Sequence, residues 1–83
     1  MLEKTIMLKD FKAVKKFVDI ANEKKFDIEL LSGKYVVNAK SIMGVFSLDL
    51  TKPIVMVAHT DMHAELLRQT APFHYDTNAG NKK

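Results

Sequence analysis

The spacing of apolar residues changes several times along this chain, and this change constrains the fold more than any other feature. Apolar and polar residues alternate loosely from Leu2 to Leu8, which predicts a first strand with one buried face. Asp10 is the expected N-cap of the helix that follows. The apolar face of that helix is predicted to contain Phe11, Val14, Phe17, Val18 and Ala21.

Alternation returns in residues 26–39, where Ser32 and Gly33 separate two apolar runs and predict a hairpin of strands two and three. Ser41 then opens a short helical segment, Ile42 to Leu48. This segment is too short to be stable without tertiary contacts.

The second half of the chain contains one more strand and one more helix. Ile54 to Ala58 is a continuous apolar run, typical of a buried strand. Thr60 and Asp61 are the expected caps of a last helix, which should end before Pro72 because proline cannot continue it.

The element order is therefore β-α-β-β-α-β-α. It predicts an α+β fold, a two-layer open-faced sandwich in which three helices cover one face of a four-stranded, mainly antiparallel sheet. A chain of 83 residues has room for one domain. We assign this domain to residues 1–72 and expect residues 73–83 to be a disordered tail.

Composition narrows the function classes. The chain has no cysteine, so disulfides, thiolate metal sites and cysteine nucleophiles are excluded, and no motif suggests an enzyme or a bound cofactor. No apolar run approaches the roughly 18 residues of a membrane span, so a cytoplasmic protein is expected. The net charge of +3 is concentrated around Lys9, Lys12, Lys15 and Lys16, which is a small patch for a nucleic-acid-binding protein.

Residues 37–48, with the sequence VNAKSIMGVFSL, resemble the regulatory-serine region of HPr, the phosphocarrier protein of the bacterial sugar phosphotransferase system. The predicted order of elements agrees with the HPr fold. The resemblance implies that Ser41 is phosphorylated by an HPr kinase and that the phosphorylated protein binds a catabolite-control regulator. A serine at a helix start is also a plain N-cap, and the two roles are compatible.

The same resemblance implies a surface for protein partners. Ile42, Met43 and Phe46 match positions that form an exposed apolar patch in the family. The basic first helix suggests a partner with an acidic face, which Lys12, Lys15 and Lys16 would attract.

The chain departs from the family pattern at the start of the first helix, where the family carries Gly-x-His-Ala-Arg-Pro. Counting back from Ser41 without gaps puts Asp10 at the histidine position and Lys12 at the arginine position, and no histidine precedes His59. Imidazole is the nucleophile in the family's phosphoryl transfer. The chain therefore resembles the Crh-type members, which lack this histidine, and we expect it to bind partners rather than to carry phosphate.

Two alternatives stay open. One is an active phosphocarrier that uses Asp10 or a relocated histidine, and the other is a nucleic-acid-binding domain that uses the basic helix. His59 and His63 have the i, i+4 spacing of metal ligands, but they straddle a strand end and a helix start, so a metal site is not expected.

Overall fold

The computed structural model of the chain describes residues 1–75. Within this range four strands form one antiparallel sheet in the order β1-β4-β2-β3, joined by three α-helices. The strands and helices are β1 (Leu2–Ile6), α1 (Phe11–Asn22), β2 (Ile28–Ser32), β3 (Tyr35–Asn38), α2 (Ile42–Phe46), β4 (Ile54–Ala58) and α3 (His63–Thr70). The predicted order and the α+β fold class are confirmed.

One face of the sheet forms the core. The register places alternate residues of β4 on this face, beside Ile6 on β1 and both Ile28 and Leu30 on β2. Buried residues of all three helices belong to the same cluster, so the helices cover this face. The largest fully buried hydrophobic side chains of the cluster are Ile6, Leu8, Val14, Phe17, Ile28, Leu30, Val45, Ile54, Met56 and Leu66.

Local signals place the starts of α1 and α2 where they were predicted. The Asp10 carboxylate accepts a hydrogen bond from the Ala13 amide at 2.8 Å, and the Ser41 hydroxyl accepts one from the Gly44 amide at 3.1 Å. In the β2–β3 hairpin, Gly33 has φ +60, a left-handed conformation that glycine adopts without a steric cost.

The caps predicted for α3 are wrong. The N-cap of α3 is Met62, and no side chain caps the helix there. The Thr60 hydroxyl instead accepts a hydrogen bond from the Met62 amide at 3.0 Å, one residue before the first turn. The reason is that Thr60 and Asp61 belong to the loop that leaves β4, and this loop continues for one residue longer than the apolar pattern suggested.

The ordered domain also continues past residue 72. After α3, a 3-10 turn at Ala71–Phe73 turns the chain back, and Phe73 is only 6% exposed. The Phe73 carbonyl accepts from the Met7 amide at 2.7 Å, and the Tyr75 amide donates to the Thr5 carbonyl at 3.0 Å. Phe73, His74 and Tyr75 therefore pack beside β1, although the sequence assigned them to the tail. The rest of the predicted tail, residues 76–83, lies outside the described residues.

Candidate functional site

Asp10 occupies the start of α1. Its side chain is exposed and accepts from Ala13, while its carbonyl accepts from the Val14 amide at 3.1 Å. Both interactions belong to the first turn of the helix. The position that the ungapped count matches to the family's histidine therefore holds a capping carboxylate in this chain.

Ser41 occupies the start of α2 and is also exposed. A Cβ on Gly44 would lie 3.3 Å from the Ser41 hydroxyl oxygen and 3.5 Å from the Val37 Cβ, so glycine keeps this helix start close to β3 without crowding the serine. The result is an exposed serine whose hydroxyl accepts from the Gly44 amide in the first turn of α2.

An exposed apolar cluster lies beside Ser41. Met43 is 78% exposed and Phe46 is 40% exposed. Phe46 stacks on Phe11 from α1, with ring centroids 5.5 Å apart and an angle of 10° between the ring planes. We call Phe11, Met43 and Phe46 the aromatic patch. The structure thus brings together the start of α1 and the end of α2, which are distant in sequence.

Two residues of the predicted pattern lie elsewhere than expected. Phe11 was predicted to be buried on the apolar face of α1, but it is 60% exposed, because the first residue of α1 meets α2 rather than the core. Ile42, predicted as a contact residue, is half-buried and packs against the core. Sequence spacing could not reveal either position, because it does not show which other elements the end of a helix packs against.

The three predicted contact lysines on α1 are all exposed, but they do not share one direction. With about 3.6 residues per turn, Lys15 lies about 40° around the helix from Phe11, whereas Lys12 and Lys16 lie about 100° and 140° away. Lys15 forms an ion pair with Asp19 at 3.9 Å, and such an exposed pair contributes little to stability. Lys15 is therefore the lysine nearest in direction to the aromatic patch.

The histidines are held by three different partners. His59 pairs with Glu29 at 3.0 Å, His63 bonds the Thr60 carbonyl at 2.7 Å, and His74 bonds the Thr70 hydroxyl at 2.9 Å. His59 follows β4 and His63 begins α3, so the two do not share a helix. Residues 1–75 contain no group of three or more histidine or acidic side chains arranged to hold a metal ion.

The sequence assigned His74 to the tail, but its imidazole lies beside Thr70, which is fully buried. Burial lowers the pKa of His74 below its ordinary value of 6.5, and the nearby Lys4 lowers it further. Both effects favour the neutral form of His74 in the folded protein.

We expect this shift to make the folded state less stable below pH 6.5, the ordinary histidine pKa. The unfolded chain binds the proton more readily, so the contribution is complete above that pH and declines as pH falls toward the lowered pKa. Urea unfolding of the wild type and of His74→Gln across this range would measure the difference. Identical pH slopes for the two proteins would contradict the prediction.

In the described part of the chain, no helix has both the length and the apolar character that crossing a membrane requires.

Comparisons with known proteins agree on the family. Residues 10–67 match the family model described as the PTS HPr component phosphorylation site. The crystal structure of HPr-C-His from Thermoanaerobacter tengcongensis is similar in fold, with a TM-score of 0.72 and 28% sequence identity over 87% of this chain and 89% of that chain. No curated protein matches the sequence significantly.

Proposed function

This chain belongs to the HPr family, whose members are phosphocarrier proteins of the phosphotransferase system rather than enzymes, and we propose that it acts as a regulatory, partner-binding member controlled by phosphorylation of Ser41. The proposal includes a cytoplasmic location, an HPr kinase as the modifying enzyme and a catabolite-control regulator as the partner of the phosphorylated form. The observation that carries it is the exposed Ser41 hydroxyl beside the aromatic patch.

Phosphorylation would change the charge of this surface without disturbing the core. A phosphoserine adds about 1.5 to 2 negative charges near neutral pH. The neighbouring Lys40 ammonium donates to the Lys24 carbonyl at 2.8 Å and is held there. The added charge would therefore remain available to a cationic side chain of the partner, next to an apolar contact formed by Met43 and Phe46.

The basic side of α1 supports a partner with an acidic face. Lys12, Lys15 and Lys16 are exposed, and their charge would act mainly on the rate of encounter because exposed charges are screened by salt. Lys15, on the side of Phe11, is the lysine best placed to contact a partner that covers the aromatic patch.

We expect HPr kinase and ATP to add one phosphate to the wild type and none to Ser41→Ala. Ser47→Ala is the matched control, because Ser47 is also exposed but lies just after the other end of α2, where its hydroxyl donates to the Gly44 carbonyl at 2.6 Å. Intact-protein mass spectrometry would count the phosphates. An unmodified wild type, or a Ser41→Ala variant that is still modified, would refute the switch.

A further inference from the structure

A cavity of about 280 Å³ lies between the start of α1 and the last described residues of the chain. Lys9 and Asp10 line it from one side, and Phe73, His74 and Tyr75 line it from the other. Residues 73–75, which we had assigned to a tail, therefore place the His74 imidazole beside the start of α1. The residue at that helix start is aspartate rather than histidine.

Hydrogen bonds determine which nitrogen of His74 carries the proton. The Thr70 hydroxyl lies 2.8 Å from the Leu66 carbonyl and donates to it, so its one hydrogen is already used. His74 Nε2 lies 2.9 Å from the same hydroxyl oxygen and must be the donor there. In the neutral ring Nδ1 then carries the lone pair, and no hydrogen-bond partner of Nδ1 is found among residues 1–75.

From this arrangement we propose that His74 Nδ1 is a phosphoryl acceptor, which takes the phosphoryl group from an N-phosphorylated imidazole of a donor protein. The site goes beyond the role proposed for Ser41 and does not depend on it. The sequence led us to expect that the chain carries no phosphate. The proposal differs from that expectation, because His74 would accept phosphate at the same end of α1.

The transfer balances without an additional reactant. The Nδ1 lone pair attacks phosphorus and forms a new N–P bond, while the electron pair of the donor's N–P bond returns to the donor ring. A donor ring that is protonated on its other nitrogen leaves as neutral imidazole. His74 keeps its proton on Nε2, bonded to Thr70, and becomes the phosphorylated cationic ring.

The charged groups of the cavity act in opposite directions. Lys9 lines the cavity and would attract the phosphoryl oxygens, whereas the Asp10 carboxylate would repel them. Asparagine caps a helix about as well as aspartate does. Asp10→Asn should therefore keep α1 intact and increase the rate of labelling.

The first test uses potassium phosphoramidate, a small N–P donor, with the full chain. We expect His74 to be labelled about tenfold faster than His59 or His63, and His74→Gln to show no label at this position. Mass spectrometric mapping under alkaline conditions, which preserve phosphohistidine, would locate the phosphate. Labelling of His74 no faster than that of the other two histidines would overturn the proposal.

The second test replaces phosphoramidate with phosphoenolpyruvate and Enzyme I, which supply a phosphohistidine protein as the donor. We expect label on His74, and more of it in Asp10→Asn. No label, or label on Asp10, would overturn the proposal. Neither outcome tests the proposed phosphorylation of Ser41, because the kinase experiment measures phosphate on Ser41 and this experiment measures phosphate on His74.

In this proposal the Thr70 hydroxyl orients the His74 ring and fixes its tautomer. Substitutions can separate this effect from the contribution of Thr70 to packing. Thr70→Val keeps the shape but removes the hydroxyl, so labelling should slow about tenfold, and the ring should lose its preference for the Nε2-protonated tautomer. Thr70→Ser should restore both. Nitrogen-15 chemical shifts of the ring report the tautomer directly, and an unchanged tautomer in a folded Thr70→Val variant would refute this role.

Discussion

Replacing Phe73 with alanine is expected to lower the free energy of unfolding by about 3–5 kcal/mol, the usual cost of deleting a buried aromatic ring. Phe73 is 6% exposed, and its ring meets Phe17 edge-on, with centroids 5.9 Å apart. The loss of stability is large because the buried Phe73 ring packs against α1 at the edge of the core. It would also release the segment that holds His74 in the cavity.

Urea unfolding followed by circular dichroism would measure the change. Small domains are stable by about 5–15 kcal/mol in total, so Phe73→Leu should accompany the alanine variant as a milder change that leaves a folded protein. Tyr75→Ala is the control, because Tyr75 is 40% exposed and should cost little. A loss below about 1 kcal/mol for Phe73→Ala would mean that the domain ends near Pro72, as the sequence alone suggested.

Loss of the aromatic patch is expected to weaken partner binding while the domain stays folded. Met43→Ala and Phe46→Ala should each reduce the affinity for an HPr-kinase or phosphotransferase-system partner about tenfold, the effect of removing a central apolar contact. Met43 is 78% exposed, so its removal leaves no cavity in the core. Phe46 loses its stacking on Phe11, which is worth about 0.5–1.5 kcal/mol.

Isothermal titration calorimetry would report the affinities, and thermal unfolding would report the stability of each variant. Tyr35→Ala provides a matched control, since Tyr35 is an exposed aromatic residue on β3, 71% exposed and outside the patch. Equal losses of affinity in Tyr35→Ala and Phe46→Ala would show that the partner does not use the aromatic patch.

Features that depend on neighbouring residues could be predicted from the sequence. The caps at Asp10 and Ser41 and the β2–β3 hairpin each depend on side chains and turns within a few residues, so local chemistry was enough to place them. The element order and the family resemblance followed from the same local patterns. The start of α3 was misplaced because Thr60 bonds within a loop rather than to a helical turn.

Features that depend on where distant elements meet could only be decided by the tertiary structure. Helical spacing put Phe11 in the core, yet packing of α1 against α2 leaves it exposed against Phe46. Proline at position 72 indicated the end of a helix, but it did not indicate that the chain turns back and buries Phe73 beside β1. His74 therefore shares a cavity with Asp10, near the other end of the chain, because hydrophobic burial of the Phe73 ring brings these segments together.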